Sequence, residues 1–159
     1  MPENTQKVNK VSSLLSQLAR KCDSGFAIAV HIRYTRPSLL YQTYAQDWND
    51  HYSEQGFMLT DPVVHWGLTQ TGWVAWDDLM DRDSAGVLSD AKKFGLHYGW
   101  TYSVGDATSR TISGHTRSTT AFSDQDRAEI IAIIDEIHAL TDGFDQLPAS
   151  EQDALRHLL

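Results

Sequence analysis

The sequence predicts an α+β domain, an α-β-α sandwich in which a central antiparallel sheet of about five strands is flanked by helices. Three observations carry this. Apolar residues recur at helical spacing toward both ends of the chain, and short apolar runs bounded by glycine and proline lie between them. Nowhere is there an apolar run long enough to span a membrane, so these segments must pack on one another. One-sided helices and half-buried strands are both satisfied when a sheet lies between helical layers.

Each element has its own signal. Val8, Val11, Leu14, Leu15 and Leu18 stand at helical spacing and predict a helix from Val8 to Ala19, ended by the stretch Asp23 to Gly25. The run from Phe26 to Ile32 predicts a buried strand, and Leu39 to Thr43 a second. Tyr44, Trp48 and Tyr52 are four apart, which puts them on one face of a helix from Ala45 to Gln55 that Gly56 stops. Asp61 followed by Pro62 is a helix-start signal, an acceptor at the N-cap and a proline at the first helical position, predicting a short helix to about Leu68. Trp73 to Trp76 reads as extended and Ser89 to Leu96 as helical. The acidic run Asp77 to Asp83 reads as a solvated loop with helix caps. It is not a calcium loop, because the twelfth position counted from Asp81 is Lys92, where a bidentate glutamate is needed. Trp100 to Val104 and Thr108 to Arg117 predict two strands joined across Gly105 and Asp106. Ser123 caps a long helix to Leu140 that carries Ile130, Ile133, Ile134 and Ile137 on one side. Thr141 to Ala149 is the expected hinge, and Ser150 to Leu159 is a further helical segment.

Composition narrows the function. The 159 residues suit one compact domain with its own core. A net charge of −8 argues against gripping a polyphosphate, since nucleic-acid affinity rests on cations meeting phosphates. The single cysteine, Cys22, excludes an internal disulfide framework and any multi-cysteine zinc site. The N-terminal residues lack the apolar core of a signal peptide, so a cytoplasmic location without membrane contact is expected. No nucleophile elbow, zinc-protease or phosphate-loop motif occurs, no two histidines stand three or four apart, and neither catalysis nor a metal or other cofactor is expected.

Tryptophan is abundant: Trp48, Trp66, Trp73 and Trp76 fall close together, a density that serves core packing or the walls of a small-molecule pocket. Tyr44, Trp48, Tyr52, Asp61, Pro62 and Trp76 form the pattern Y-x3-W-x3-Y-x8-D-P-x13-W. Singly, each residue is explained as core or as a helix cap. Together they offer phenol and indole donors and a carboxylate acceptor among aromatic walls, which suits an amphiphile with two carbonyls and one N–H.

On these residues the chain resembles the autoinducer-binding domain of LuxR-type quorum-sensing transcription regulators, which bind N-acyl-homoserine lactones. The likeness covers YQTYAQDWNDHYSEQGFMLTDPVVHW, the tryptophan of GWVAW, and AKKFGLHYG closing at Gly99. The resemblance implies that Trp48 donates to the lactone carbonyl, Tyr44 donates to the amide carbonyl and Asp61 accepts the amide N–H. It further implies that Tyr52 and Trp76 form apolar walls, that Val63 lies close to the lactone, and that Gly99 permits a close approach. Ser103 stands where the family usually has proline, and the segment from Trp76 to Gly99 is shorter. The strand from Ser109 to Arg117 is more polar than usual. Ser113 and His115 therefore join the expected ligand-facing residues, where they would make the tail region polar or narrow; alternatively, the polar positions of this strand face solvent.

The resemblance also implies a homodimer. It divides the chain into a sensing domain at 1–142, a linker at 143–149 and, at 150–159, the first helix of a helix-turn-helix module. Without the rest of that module this chain cannot read a DNA groove. A second reading makes the chain a ligand-independent dimerisation module, or a truncated inhibitor pairing with full-length regulators, through an exposed stripe of Ile130, Ile133, Ile137 and Leu140.

Overall fold

The computed structural model describes residues 2–159. Helix α1 (Pro2–Lys21) leads into strands β1 (Gly25–Arg33) and β2 (Arg36–Gln42), then helices α2 (Gln46–Glu54) and α3 (Pro62–Thr69). Strand β3 (Gly72–Ala75), helix α4 (Val87–Lys93), strands β4 (Tyr98–Val104) and β5 (Arg110–Arg117), and helices α5 (Asp124–Leu140) and α6 (Ala149–Arg156) follow. The strands form one antiparallel sheet in the order β2-β1-β5-β4-β3. This is the expected sandwich.

Helices α1 and α5 cover one face. Val11, Leu14, Leu15 and Leu18 meet Ile130, Ile134 and Ile137 over Phe26, Ile28, Val30 and Trp100 of the sheet. Ile130, Ile134 and Ile137 are fully buried, Ile133 nearly so, and Leu140 packs against the same cluster. The isoleucine stripe is therefore the domain's own core, which corrects the expectation of an exposed dimerisation stripe. Each such side chain gains about 1.5–3 kcal/mol by leaving water, and its own sheet supplies the partner. The expected cap is present: Ser123 Oγ accepts from the Asp126 N–H at 3.0 Å, and Asp126 Oδ2 accepts from the Ser123 N–H at 2.9 Å.

The segment expected as a hinge is packed. It holds a 3₁₀ turn, Phe144–Gln146, whose Phe144 is buried, and the Gln152 amide donates to the Phe144 and Leu147 carbonyls. Helix α6 buries Leu155, whose carbonyl accepts from the Tyr41 hydroxyl at 2.7 Å.

Helices α2, α3 and α4 cover the other face. The acidic run is not an open loop; it lies mostly within a 3₁₀ turn, Trp76–Arg82, that buries Leu79. Asp83 does cap, accepting from the Leu88 and Ser89 N–H groups at 2.9 and 3.2 Å, so α4 starts at Val87 rather than Ser89. The β4–β5 connection is longer than a two-residue turn. It runs from Gly105 (φ +101°) to Ser109, held by Ser109 N–H to the Asp106 carbonyl at 2.9 Å. Among the described residues no helix is long and apolar enough to cross a membrane.

Candidate ligand-binding site

Strand alternation decides what reaches the α2–α4 side. In β4, Trp100 and Tyr102 turn toward α5: Trp100 joins the core, and the Tyr102 hydroxyl donates to Asp135 at 2.6 Å. Gly99, Thr101 and Ser103 turn the other way. The Ser103 hydroxyl donates to the Gly67 carbonyl of α3 at 2.8 Å, and the Trp76 indole N–H donates to Thr101 Oγ1 at 2.9 Å. The β4–β5 register pairs Thr101 with Gly114 and Ser103 with Ile112, so these also face the α2–α4 side, Gly114 toward Tyr44 and Trp76 and Ile112 toward Gly67 of α3. It pairs Trp100 with His115 and Tyr102 with Ser113.

Ser113 and His115 are therefore turned away from the site, into the α1–α5 core, and do not belong with the ligand-facing residues. The strand's parity rather than its polarity decides this. His115 lies 4.2 Å from the Trp100 ring centroid, and it is fully buried. Its two ring nitrogens and Ser113 Oγ make no hydrogen bond of good geometry among the described residues. Burial pushes the His115 imidazole down to about 3, so it is neutral at physiological pH.

The remaining expected residues are brought together. Tyr44, Tyr52 and Trp76 pack on one buried cluster with Trp48, Phe57, Val87, Ala91 and Leu96. Trp48 is 5% exposed and meets Tyr52 edge-on at 5.7 Å, with Phe94 at 5.4 Å on another side. Gly99 permits a close approach as expected, but of Trp76: a Cβ there would lie 2.1–2.7 Å from the indole. Gly114 makes room beside Tyr44, since a Cβ there would lie 3.0 Å from its hydroxyl.

Asp61 caps α3, with Oδ1 accepting from the Val63 N–H at 2.8 Å. Val63, half-buried in the first turn, is thereby fixed beside the carboxylate. Oδ2 accepts from the Tyr52 hydroxyl at 2.7 Å, so Tyr52 is more than the apolar wall that was expected. Burial raises the Asp61 pKa above the usual carboxylate value, against the lowering effect of Tyr52 and the backbone N–H groups. Burial likewise raises the pKa of Tyr44 and Tyr52, so both phenols stay protonated donors. Among the described residues, neither the Tyr44 hydroxyl nor the Trp48 indole N–H has a hydrogen-bond partner. Two donors thus stand free beside an acceptor that retains lone pairs.

Sequence reasoning missed Thr101, Gly114, Phe94 and the His51–Asp90 contact of 2.8 Å that ties α2 to α4. Thr101 and Gly114 were within reach, because Gly99 fixes the parity of β4 and the hairpin carries it to β5. Asp90 lies in, and Phe94 just after, a short helix whose orientation no local pattern encodes. A cleft of about 400 Å³ adjoins the site, lined by Gly25, Thr43, Ala45, Trp48, Phe94 and Leu96 among others. Cys22 also borders it, buried, its thiol pushed up to about 12 and so unreactive. Among the described residues no cluster of three or more His, Cys, Asp or Glu side chains is arranged to hold a metal ion.

Comparison with known proteins gives the family and the fold. The family described as the autoinducer binding domain matches residues 9–146. The transcriptional activator protein SolR of Ralstonia nicotianae is 29% identical over 99 residues, covering 61% of this chain and 41% of SolR. The chain thus spans less than half the length of that relative. Escherichia coli SdiA superposes with a TM-score of 0.66 at 18% identity, over 85% of this chain and 62% of SdiA. SdiA has also been solved in complex with octanoyl-rac-glycerol, with a TM-score of 0.64 at 16% identity, over 89% of this chain and 60% of that one. The N-acylhomoserine lactone dependent LuxR family factor CepR2 of Burkholderia cenocepacia gives 0.56 at 16% identity, over 89% of this chain and 94% of CepR2.

Proposed function

We propose, because this chain belongs to the autoinducer-binding domain family, that its cluster around Trp48 binds an N-acyl-homoserine lactone as a regulatory signal. The observation that carries the reading is the pair of free donors, Tyr44 Oη and Trp48 Nε1, beside the Asp61 carboxylate. A ligand with two carbonyls and one N–H would pair with both donors and with the lone pairs that Asp61 keeps beyond its bonds to Val63 and Tyr52. In this assignment the indole meets the ring carbonyl, the phenol meets the amide carbonyl, and Asp61 accepts the amide N–H. Tyr52 orients the carboxylate, and Trp76 walls the site from its seat on Gly99. Selectivity for the head group comes from the polar set, and affinity from burying the acyl chain at about 0.8 kcal/mol per methylene.

Occupancy would be passed to a DNA-reading module, with residues 150–159 as its first helix and a homodimer as the working unit. The SdiA complex favours one second reading, an acylglycerol, which has an ester carbonyl and hydroxyls but no amide N–H. Thermal melting of protein purified without ligand, with a panel of lactones and with octanoylglycerol, tests the two. Lactone binding predicts stabilisation of about 2.7 kcal/mol at a hundredfold excess over Kd, with Asp61→Asn sharply weakening it. No stabilisation by any lactone would overturn the reading.

A further inference from the structure

The Trp48 ring is held by aromatic side chains from several elements. Tyr52, one turn further along α2, meets it edge-on and is itself bonded to Asp61. Phe57, 6.3 Å away, is buried. Phe94, 5.4 Å away, follows α4 directly and is 37% exposed, on the lip of the cleft that Trp48 also borders. Helix α2 supplies little by itself, since it has nine residues and no side-chain cap at Ala45. So short a helix keeps its shape by packing. Phe94 in turn is gripped by His51: the two rings lie 5.0 Å apart at 32°, and His51 also meets Phe57 edge-on at 5.5 Å. His51 Nε2 lies 2.8 Å from Asp90 Oδ2, and an ionised carboxylate only accepts, so the imidazole donates. His51 stands three residues after Trp48, and Asp90 four before Phe94, so each pair lies on one side of its helix. Two residues of α2 thus interlock with two at α4. Among the described residues His51 to Asp90 is the one side-chain hydrogen bond between these helices.

We infer that His51 and Asp90 are positioning residues for ligand binding: by clamping Phe94 against Trp48 they hold the indole in the orientation from which its N–H reaches a ligand carbonyl. This rests on the lactone reading above. Unlike Tyr44, Trp48 and Asp61, the pair acts through another residue. A hydrogen bond fades steeply once its donor swings out of line. With His51 unable to hold Phe94, one side of the Trp48 ring is left open to the cleft, and the ring has room to turn. The clamp draws on both helices, so it also fixes α4 relative to α2. Lys93 approaches the other Asp90 oxygen at 3.5 Å from within α4 and ties nothing to α2.

Calorimetric titration with N-octanoyl-homoserine lactone, together with the indole spectrum of unliganded nitrogen-15-labelled protein, tests the inference. His51→Leu is expected to weaken lactone binding about tenfold, the contribution of one well-aimed hydrogen bond. His51→Gln, which can still donate to Asp90, is expected to restore most of the affinity. In a Trp48→Phe background His51→Leu is expected to change nothing further, because His51 acts through the indole. In unliganded protein His51→Leu is expected to move and broaden the Trp48 indole signal, with that of Trp76, bonded to Thr101, in place. Asp90→Ala removes the other partner, is expected to do the same, and serves if the leucine variant does not fold. An equal loss of affinity in both backgrounds, or an unmoved Trp48 signal, overturns the inference and leaves the lactone reading standing. Binding of no lactone of the panel by wild type overturns the lactone reading, and the unliganded spectrum then decides whether the pair holds the ring.

Discussion

His115 shows how much one residue weighs when its strand turns it inward. It lies opposite Phe26 and Trp100, fully buried, with its pKa pushed down to about 3. The unfolded chain takes up a proton near pH 6.5, while the folded protein does not until about pH 3. Stability is therefore lost as pH falls through that window, with a slope approaching about 1.4 kcal/mol per pH unit. His138, also lowered by burial, adds to the loss. Asp90 and Asp126, held low by hydrogen bonds, contribute only once pH falls below the ordinary carboxylate range. Asp61 acts with the opposite sign, because its pKa is raised. Urea denaturation between pH 7 and about pH 4.5 should show His115→Phe flattening the fall seen in wild type; parallel curves would contradict it. The sequence marks His115 as polar and in a strand, but burial on both faces of β5 erases the polar–apolar alternation that would reveal which way it points.

At the scale of elements, most boundaries are legible because local chemistry sets them. Asp61-Pro62 starts α3 and Ser123 starts α5 through side-chain caps that the structure contains. The elements around residues 76–96 are less legible, since Asp83 caps α4 from five and six residues away and Leu79 is buried by contacts distant in sequence. The coupling of that turn to the sheet passes through Gly99, where the Trp76 indole lies on bare backbone and donates to Thr101. Gly99→Ala is expected to displace the indole and destabilise the protein by about 1–3 kcal/mol, the range for overpacking. It should also weaken ligand binding. Urea denaturation and the lactone titration would check both; a variant as stable as wild type would show that Trp76 is not seated there.

Across the whole molecule, the sheet divides two tasks. The α1–α5 face is an apolar core that fixes the strands, and the α2–α4 face carries polar groups on a floor of glycine, alanine and threonine. The sandwich is legible in the helical stripes and apolar runs, and the site is legible in the spacing from Tyr44 to Trp76. The lateral placement of β5 beside β1 is not, because it depends on pairing between segments far apart in the chain. The claim on which the function rests is that Trp48, unlike Trp76, keeps its indole N–H free for a ligand. The indole resonances of nitrogen-15-labelled protein, recorded with and without a homoserine lactone, test it directly. A downfield move of the Trp48 N–H signal on binding, with the Trp76 signal unmoved on Thr101, is the predicted result. A ligand that raises the melting temperature while leaving the Trp48 signal in place would contradict it.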